Sequence, residues 1–375
     1  MKNPKEIFVT KPLLPDLGLM QQQLSEIWQS GILTNYGEKH ALLEKELAKF
    51  LKISNIILYN NATTALLIAI RALDLKGEVI TTPFTFGATT HTLNWNNITP
   101  VFCDIDENNL CINPDKIEEL ITDKTSGILG VHVYGQTCAV KKIDTIAKNH
   151  HLKVIYDAAH AFTTEINNES ITNYGDASIL SFHATKLFNT AEGGAIVFQD
   201  ERYRQKLNLL KNFGIKNEEE VVFAGINGKM NEIQAALGLL NLKLVESEQK
   251  KRSKVAEMYR LYLNNIEGIR LLKTEVGTSN SYQYFPIIID EAKFGATRDD
   301  VHGNLKAQNI FSRKYFYPLI SNYDCYKNLP SAAINKLPIA NKISKQILCL
   351  PFYGDLKEED INRICKIILE SKKTK

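Results

Sequence analysis

The sequence lacks the features that would place it in several classes. No run of about 18 consecutive apolar residues occurs, so no transmembrane helix is expected. The opening "MKNPKEIFVTKPLLPDL" carries charges and prolines where a signal peptide needs an apolar segment, so none is expected. The six cysteines (Cys103, Cys111, Cys138, Cys325, Cys349, Cys365) are dispersed and form no CxxC pair. Scattered thiols suit a reducing cytoplasm and argue against a structural zinc site, so no metal is expected. The formal net charge is only +3, and Lys and Arg form no basic stripe interleaved with aromatics. Neither nucleic acid nor membrane is expected as a partner. There is no visible repeat or low-complexity tract. The terminal "ESKKTK" is a short basic tail expected to fray.

What is present is a chain of 375 residues, 44% hydrophobic and 23% charged, enough for a sizeable core and two domains. Helical spacing of apolar residues covers 20–50, interrupted by the Gly- and Asn-containing "GILTNYGE". From there strands and helices alternate. "NIILYN" reads as strand and "NATTALLIAIRALDL" as helix with Asn and Thr caps. "EVITTPFTFGATTHTLNWNN" reads as strand, turn and helix, followed by the strands "TPVFCDID" and "GILGVHVYG", the helix "VKKIDTIAKNH" and the strand "LKVIYDAAH". Nearly continuous apolar strands alternating with helices predict an α/β fold with a mostly parallel, doubly wound sheet covered on both faces. The polar residues fall at strand ends, where such sheets bind ligands. After about residue 230 one long helical stretch, or two joined, leads into a second unit with the strands "YQYFPIIID" and "QILCLPFYG".

Two residues raise the question of chemistry. Asp157 ends the apolar strand "KVIYD"; alone it reads equally well as a helix N-cap. Lys186 follows 29 positions later, after the strand "ASILSFHAT" and just before "EGGAIV"; alone it reads as a solvated charge. Together they meet two demands of pyridoxal 5′-phosphate chemistry: a carboxylate for the pyridinium nitrogen and a desolvated, nucleophilic amine as covalent anchor. "NNATTALLIAI" adds small and hydroxylated residues, among them Thr63, at a helix N-terminus suited to a phosphate. "PFTFGATT" offers Phe84 or Phe86 to stack on a ring. The glycine pair of "EGGAIV" would let the chain turn tightly as it re-enters the sheet.

At this point the chain resembles the DegT/StrS family of pyridoxal-phosphate-dependent nucleotide-sugar aminotransferases, which have the fold type I (aspartate aminotransferase-like) architecture. The resemblance spans nearly the whole chain. It is carried in order by "LTNYG", "NNATTALLIAI", "EVITTPFTFGATTHT", "PVFCDID", "VHVYGQ", "VIYDAAHAF", "GDASILSFHATKLFNTAEGGAIV" and "GINGKMNEIQAALGLLNL". It implies a large mixed-sheet cofactor-binding domain at 1–245, whose N-terminal segment packs on a smaller α/β domain at 246–375. It implies Lys186 and Asp157 as catalytic residues. Ala62, Thr63, Phe86, His160, Ser181 and Asn227 would join them around the cofactor, with Asn227 reaching in from the second subunit of a homodimer. His160 stands where many relatives have glutamine, near the cofactor's O3′. Asn35, Tyr36, His183, Asn189, Arg313 and Tyr315 are the candidates for substrate contact.

The implied reaction passes an amino group from L-glutamate to a nucleotide-linked keto sugar. "YDAAHAF" and "SFHATKLFNT" lean toward dTDP-4-keto-6-deoxy-D-glucose, aminated at C4 for O-antigen or another surface glycan. Amination at C3, and formation of the C4 galacto epimer, stay open. A binding-only relative would have no need of both Lys186 and Asp157. A C3 dehydratase of this family would carry histidine at the lysine position.

Overall fold

The computed structural model describes residues 6–372; the last three residues of the basic tail lie outside them. Two helices, α1 (Leu17–Ser30) and α2 (Glu38–Leu51), precede the first strand, β1 (Ile56–Tyr59). Alternation then begins with α3 (Ala62–Ala72), β2 (Glu78–Thr81), α4 (Gly87–Trp95), β3 (Thr99–Phe102), β4 (Thr125–Val131), α5 (Val140–Asn149) and β5 (Lys153–Asp157). A two-stranded hairpin, β6 (Glu165–Ile166) and β7 (Glu169–Ser170), leads to β8 (Ala177–Ser181), β9 (Gly194–Phe198) and α6 (Tyr203–Leu210). The seven strands other than the hairpin form one sheet in the order β1-β9-β8-β5-β4-β2-β3. All run parallel except β9, which pairs antiparallel with both neighbours.

Successive strand residues point to opposite faces, and both faces are covered. Leu58, Ile80, Ile128, Val154, Leu180 and Val197 enter one core; their neighbours Ile57, Val79, Leu129, Ile155, Ile179 and Ile196 enter another beneath α3. This is the physical reason the strands read as nearly continuous apolar runs.

The helical stretch after residue 230 is two helices, α7 (Glu232–Leu242) and α8 (Val245–Leu263). At the start of α7, Asn231 and Gln234 form a reciprocal capping box. A three-stranded antiparallel sheet follows: β10 (Ile269–Leu271), β11 (Phe285–Ile289) and β12 (Ile347–Leu350). It packs with α8, α9 (Glu291–Phe294), α10 (Arg298–Ala307) and α12 (Glu358–Glu370) around a third core; α11 (Pro338–Gln346) lies against the first. The N-terminal segment joins this unit: Ile7 bridges Ile310, and the Val9 carbonyl accepts the Phe352 N–H at 2.9 Å. No helix among the described residues is long and apolar enough to cross a membrane.

Candidate active site

Parallel pairing aligns Val131 of β4 with Asp157 of β5. With Ser181 of β8 they bring three strand ends to the rim of one cavity of about 550 Å³. Its lining includes Ala62, Thr63, Phe86, Asp157, His160, Ser181, His183, Lys186 and Tyr315, nine of the residues singled out from sequence. A larger cleft of about 1040 Å³ lies between α2, α7 and the β6–β7 hairpin. It is lined by solvated Lys and Glu side chains such as the Lys52–Glu165 pair, at 3.2 Å, and holds none of these residues.

Asp157 is buried at the end of β5. Its Oδ1 accepts the Ala159 N–H at 3.1 Å and its Oδ2 accepts the Thr89 hydroxyl at 2.7 Å. Burial pushes this carboxyl above its ordinary range; the two hydrogen bonds and the nearby Lys186 pull it back. Lys186 sits in the loop between β8 and β9, its ammonium 5.9 Å from the centre of the Tyr284 ring. Burial lowers its pKa to about 8, with the Asp157 charge opposing. The backbone on both sides of Lys186 is clamped by one side chain: Gln283 accepts the Leu187 N–H at 2.8 Å and donates to the Thr185 carbonyl at 3.0 Å.

His160 is buried among Tyr134, Tyr284 and Phe316. Its Nδ1 accepts the Tyr134 N–H at 3.2 Å, so the ring proton resides on Nε2. Burial, and then Lys186, hold its pKa well below the usual histidine range, so it is neutral. At the far side, Asn61 caps α3 by accepting the Thr64 N–H at 2.8 Å, leaving the helix start at Ala62 and Thr63 lining the cavity.

The glycine pair works differently from the sequence expectation. The left-handed residue of this loop is Ala191, at φ 64°, and neither glycine has a positive φ. Gly194 is required by close approach: a Cβ there would stand 2.6 Å from the Ala62 nitrogen. Gly193 is crowded in the same way, with a Cβ placed 2.0 Å from the Thr190 hydroxyl. Gly194 lets β9 pass against the start of α3, and Gly193 makes room for Thr190, Met230 and Phe182.

Five of the candidates do not line the cavity. Asn189 is a correction: its side chain is fully buried, donating to the Leu13 carbonyl at 3.0 Å and accepting the Ala191 N–H at 3.2 Å, so it braces the loop and is not available to substrate. Asn35 and Tyr36 lie on an exposed loop with φ of 64° and 66°. Asn227 is exposed beyond the cavity of its own chain. Arg313 lines an adjoining cleft of about 670 Å³ with Lys306 and Lys314, and Tyr315 borders both spaces. Tyr284, Phe316, Gln283 and Thr89 were missed. They come from distant segments or the buried side of a helix and carry no local signature; only its place next to the candidate Tyr315 could have flagged Phe316.

A buried carboxylate, an amine of lowered pKa and a helix N-terminus at the far end of one cavity fit the ring nitrogen, the aldehyde and the phosphate of pyridoxal phosphate. Fold and site together define a pyridoxal-phosphate-dependent transferase of fold type I. The model of the DegT/DnrJ/EryC1/StrS aminotransferase family matches residues 18–369. The chain belongs to that family and is a nucleotide-sugar aminotransferase. It is 46% identical over 370 residues to the dTDP-4-amino-4,6-dideoxy-D-glucose transaminase of Escherichia coli, covering 98% of this chain and 99% of that one. It is 44% identical over 368 residues to the enzyme of the same name from Shigella dysenteriae, covering 98% and 100%. Among solved structures it superposes on DesI, determined in the presence of its TDP-sugar product, with a TM-score of 0.93 and 32% identity over 99% of this chain and 93% of that one.

Proposed function

We propose that this enzyme transfers the amino group of L-glutamate to C4 of dTDP-4-keto-6-deoxy-D-glucose, giving dTDP-4-amino-4,6-dideoxy-D-glucose. The observation that carries the reading is the facing of buried Asp157 and Lys186 in one cavity, in a chain 46% identical over nearly its full length to a transaminase of that name. When bound, pyridoxal phosphate supplies an electron sink that allows a proton to leave one carbon and return at another. The chain's residues do the rest. Ionised Asp157 would keep the proton on the ring nitrogen. Lys186 would anchor the cofactor and, when free and neutral, would carry the proton between the two positions. Neutral His160 would offer its Nε2–H to the cofactor's phenolic oxygen. The start of α3, with the Ala62 N–H and the Thr63 hydroxyl, would hold the phosphate together with Ser181. Phe86, exposed at the cavity mouth, would stack on the ring.

The nucleotide end is assigned to the cleft beyond Tyr315, where Lys306, Arg313 and Lys314 beside Phe8 and Phe311 suit a diphosphate and a base. Asn35, Tyr36 and His183 remain candidates for the sugar. We assign the active form to a homodimer in which Asn227 completes the phosphate site of the partner. Support comes from the exposed apolar residues Phe213, Ile215, Val222, Phe223 and Ile226 that flank Asn227. The reading places the enzyme in the cytoplasm, as six free thiols suit, and its product in an O-antigen or other surface glycan.

Incubation with pyridoxal phosphate, L-glutamate and dTDP-4-keto-6-deoxy-D-glucose, followed by NMR of the product, tests the assignment. An equatorial amine at C4 is expected. An amine at C3, or an axial amine at C4, would overturn the sugar and leave the transamination standing.

A further inference from the structure

We propose that Thr89 is a positioning residue for the reaction: its buried hydroxyl, oriented by Thr85, holds the Asp157 carboxylate ionised and in place for the cofactor's ring nitrogen. The proposal rests on the reading of the cavity as a pyridoxal phosphate site.

Thr89 lies in the first turn of α4 and is wholly buried, while Thr85 and Asp157 are buried at the cavity wall. Its hydroxyl stands 2.7 Å from Asp157 Oδ2 and 2.8 Å from the Thr85 hydroxyl. Thr89 does not line the cavity, so it acts only through the aspartate. A hydroxyl has one proton to give and an ionised carboxylate can only accept. The Thr89 proton therefore goes to Asp157, and Thr85 must donate to Thr89. The result is a directed chain from Thr85 through Thr89 to the carboxylate.

This direction matters because a buried carboxyl tends to keep its proton. A donor aimed at Oδ2 favours the anion, and a proton on that oxygen would oppose it. The Ala159 N–H does the same for Oδ1 at 3.1 Å. Both oxygens are thus tied down, which fixes the carboxylate plane as well as its charge. The first turn of α4 adds the positive end of a helix on the same side.

The test uses full-length apoprotein titrated with pyridoxal phosphate, followed by visible absorbance. Thr89→Val keeps the shape and removes the donor. Cofactor affinity is expected to fall roughly tenfold, the loss of one hydrogen bond to a charged group. The pH midpoint of the bound cofactor's visible band is expected to rise, because a ring that has lost its proton withdraws electrons less. Thr89→Ser should match wild type in both, and Thr85→Val should show a smaller change in the same direction. Wild-type affinity and midpoint in Thr89→Val would overturn the proposal, as would a Thr89→Ser protein impaired as badly as the valine variant. If Thr89→Val does not fold, Thr85→Val decides, and an unchanged midpoint there counts against it. A wild-type protein that takes up no cofactor would sink the site reading itself.

Discussion

Lys186 and Lys211 make an instructive pair. Burial pushes each down from 10.5 to about 8. Each has a carboxylate nearby, Asp157 for the first and Glu44 for the second, 3.9 Å away. Each stands over aromatic rings: Tyr284 at 5.9 Å, against Tyr36 at 4.7 Å and Tyr59 at 5.4 Å. The difference is space. The Lys211 ammonium is sealed, donating to the Leu58 carbonyl at 3.1 Å, and nothing can reach it. Lys186 opens on a cavity that also holds a helix start, a neutral histidine and an exposed phenylalanine. A shifted lysine therefore reports burial; a shifted lysine with room for a cofactor and a second polar wall reports a site.

Four experiments probe that contrast, and the largest effect falls on Lys186. Lys186→Ala should reduce transamination by about 10³-fold or more and abolish the absorbance of covalently bound cofactor, while the protein stays folded. Activity within tenfold of wild type would move the site elsewhere. Asp157→Asn is expected to retain the fold and lower turnover by about 10²-fold, since the ring nitrogen loses its anionic partner. Steady-state kinetics at saturating cofactor measure this.

On the other side of the comparison, Lys211→Met should leave the turnover of folded enzyme unchanged and cost about 2 kcal/mol of stability, because half-buried Glu44 loses its cation. Urea unfolding followed by circular dichroism reads the cost. The most gradual effect is one of pH. Both lysines have folded-state pKa values below the unfolded value of 10.5, so between about 8 and 10.5 the unfolded apoprotein binds more protons. Their burial penalty is full below pH 8 and is relieved as pH rises, so stability should increase by up to about 1.4 kcal/mol per pH unit for each. Lys211→Met should remove about half of that slope. A slope unchanged by the substitution would mean that Lys211 is not shifted.

Much of this molecule was legible in its sequence, for identifiable reasons. The strands β1 to β5 are largely apolar between their ends because both sheet faces are covered, and the helices between them show their own spacing. Asp157 and Lys186 stand out because the first ends an apolar strand and the second follows one by a short loop, where the backbone must deliver a side chain to the sheet's end. Residues whose role depends on a distant partner were not legible. Gln283 clamps the Lys186 loop from about a hundred positions away, and nothing in "SYQYF" announces it. Thr89 looks like any threonine in "GATTHT" until β5 brings Asp157 within 2.7 Å. Asn189 looked like a substrate contact because it lies beside the lysine, yet its side chain turns inward to Leu13. The glycine pair was legible as a constraint, but its reason was not: a turn can be inferred from neighbouring residues, whereas the approach of β9 to the start of α3 cannot.

The sequence by itself determined the alternating architecture, the family and the pair of residues on which the chemistry turns, because hydrophobic periodicity and a local motif are properties of neighbouring positions. Only the tertiary structure decided which nitrogen of His160 carries its proton, what keeps Asp157 charged, and why Lys186 faces a cavity while Lys211 is walled in. Each of those depends on the local dielectric and on hydrogen-bond partners brought together from separate strands, and such quantities exist only once the chain has folded.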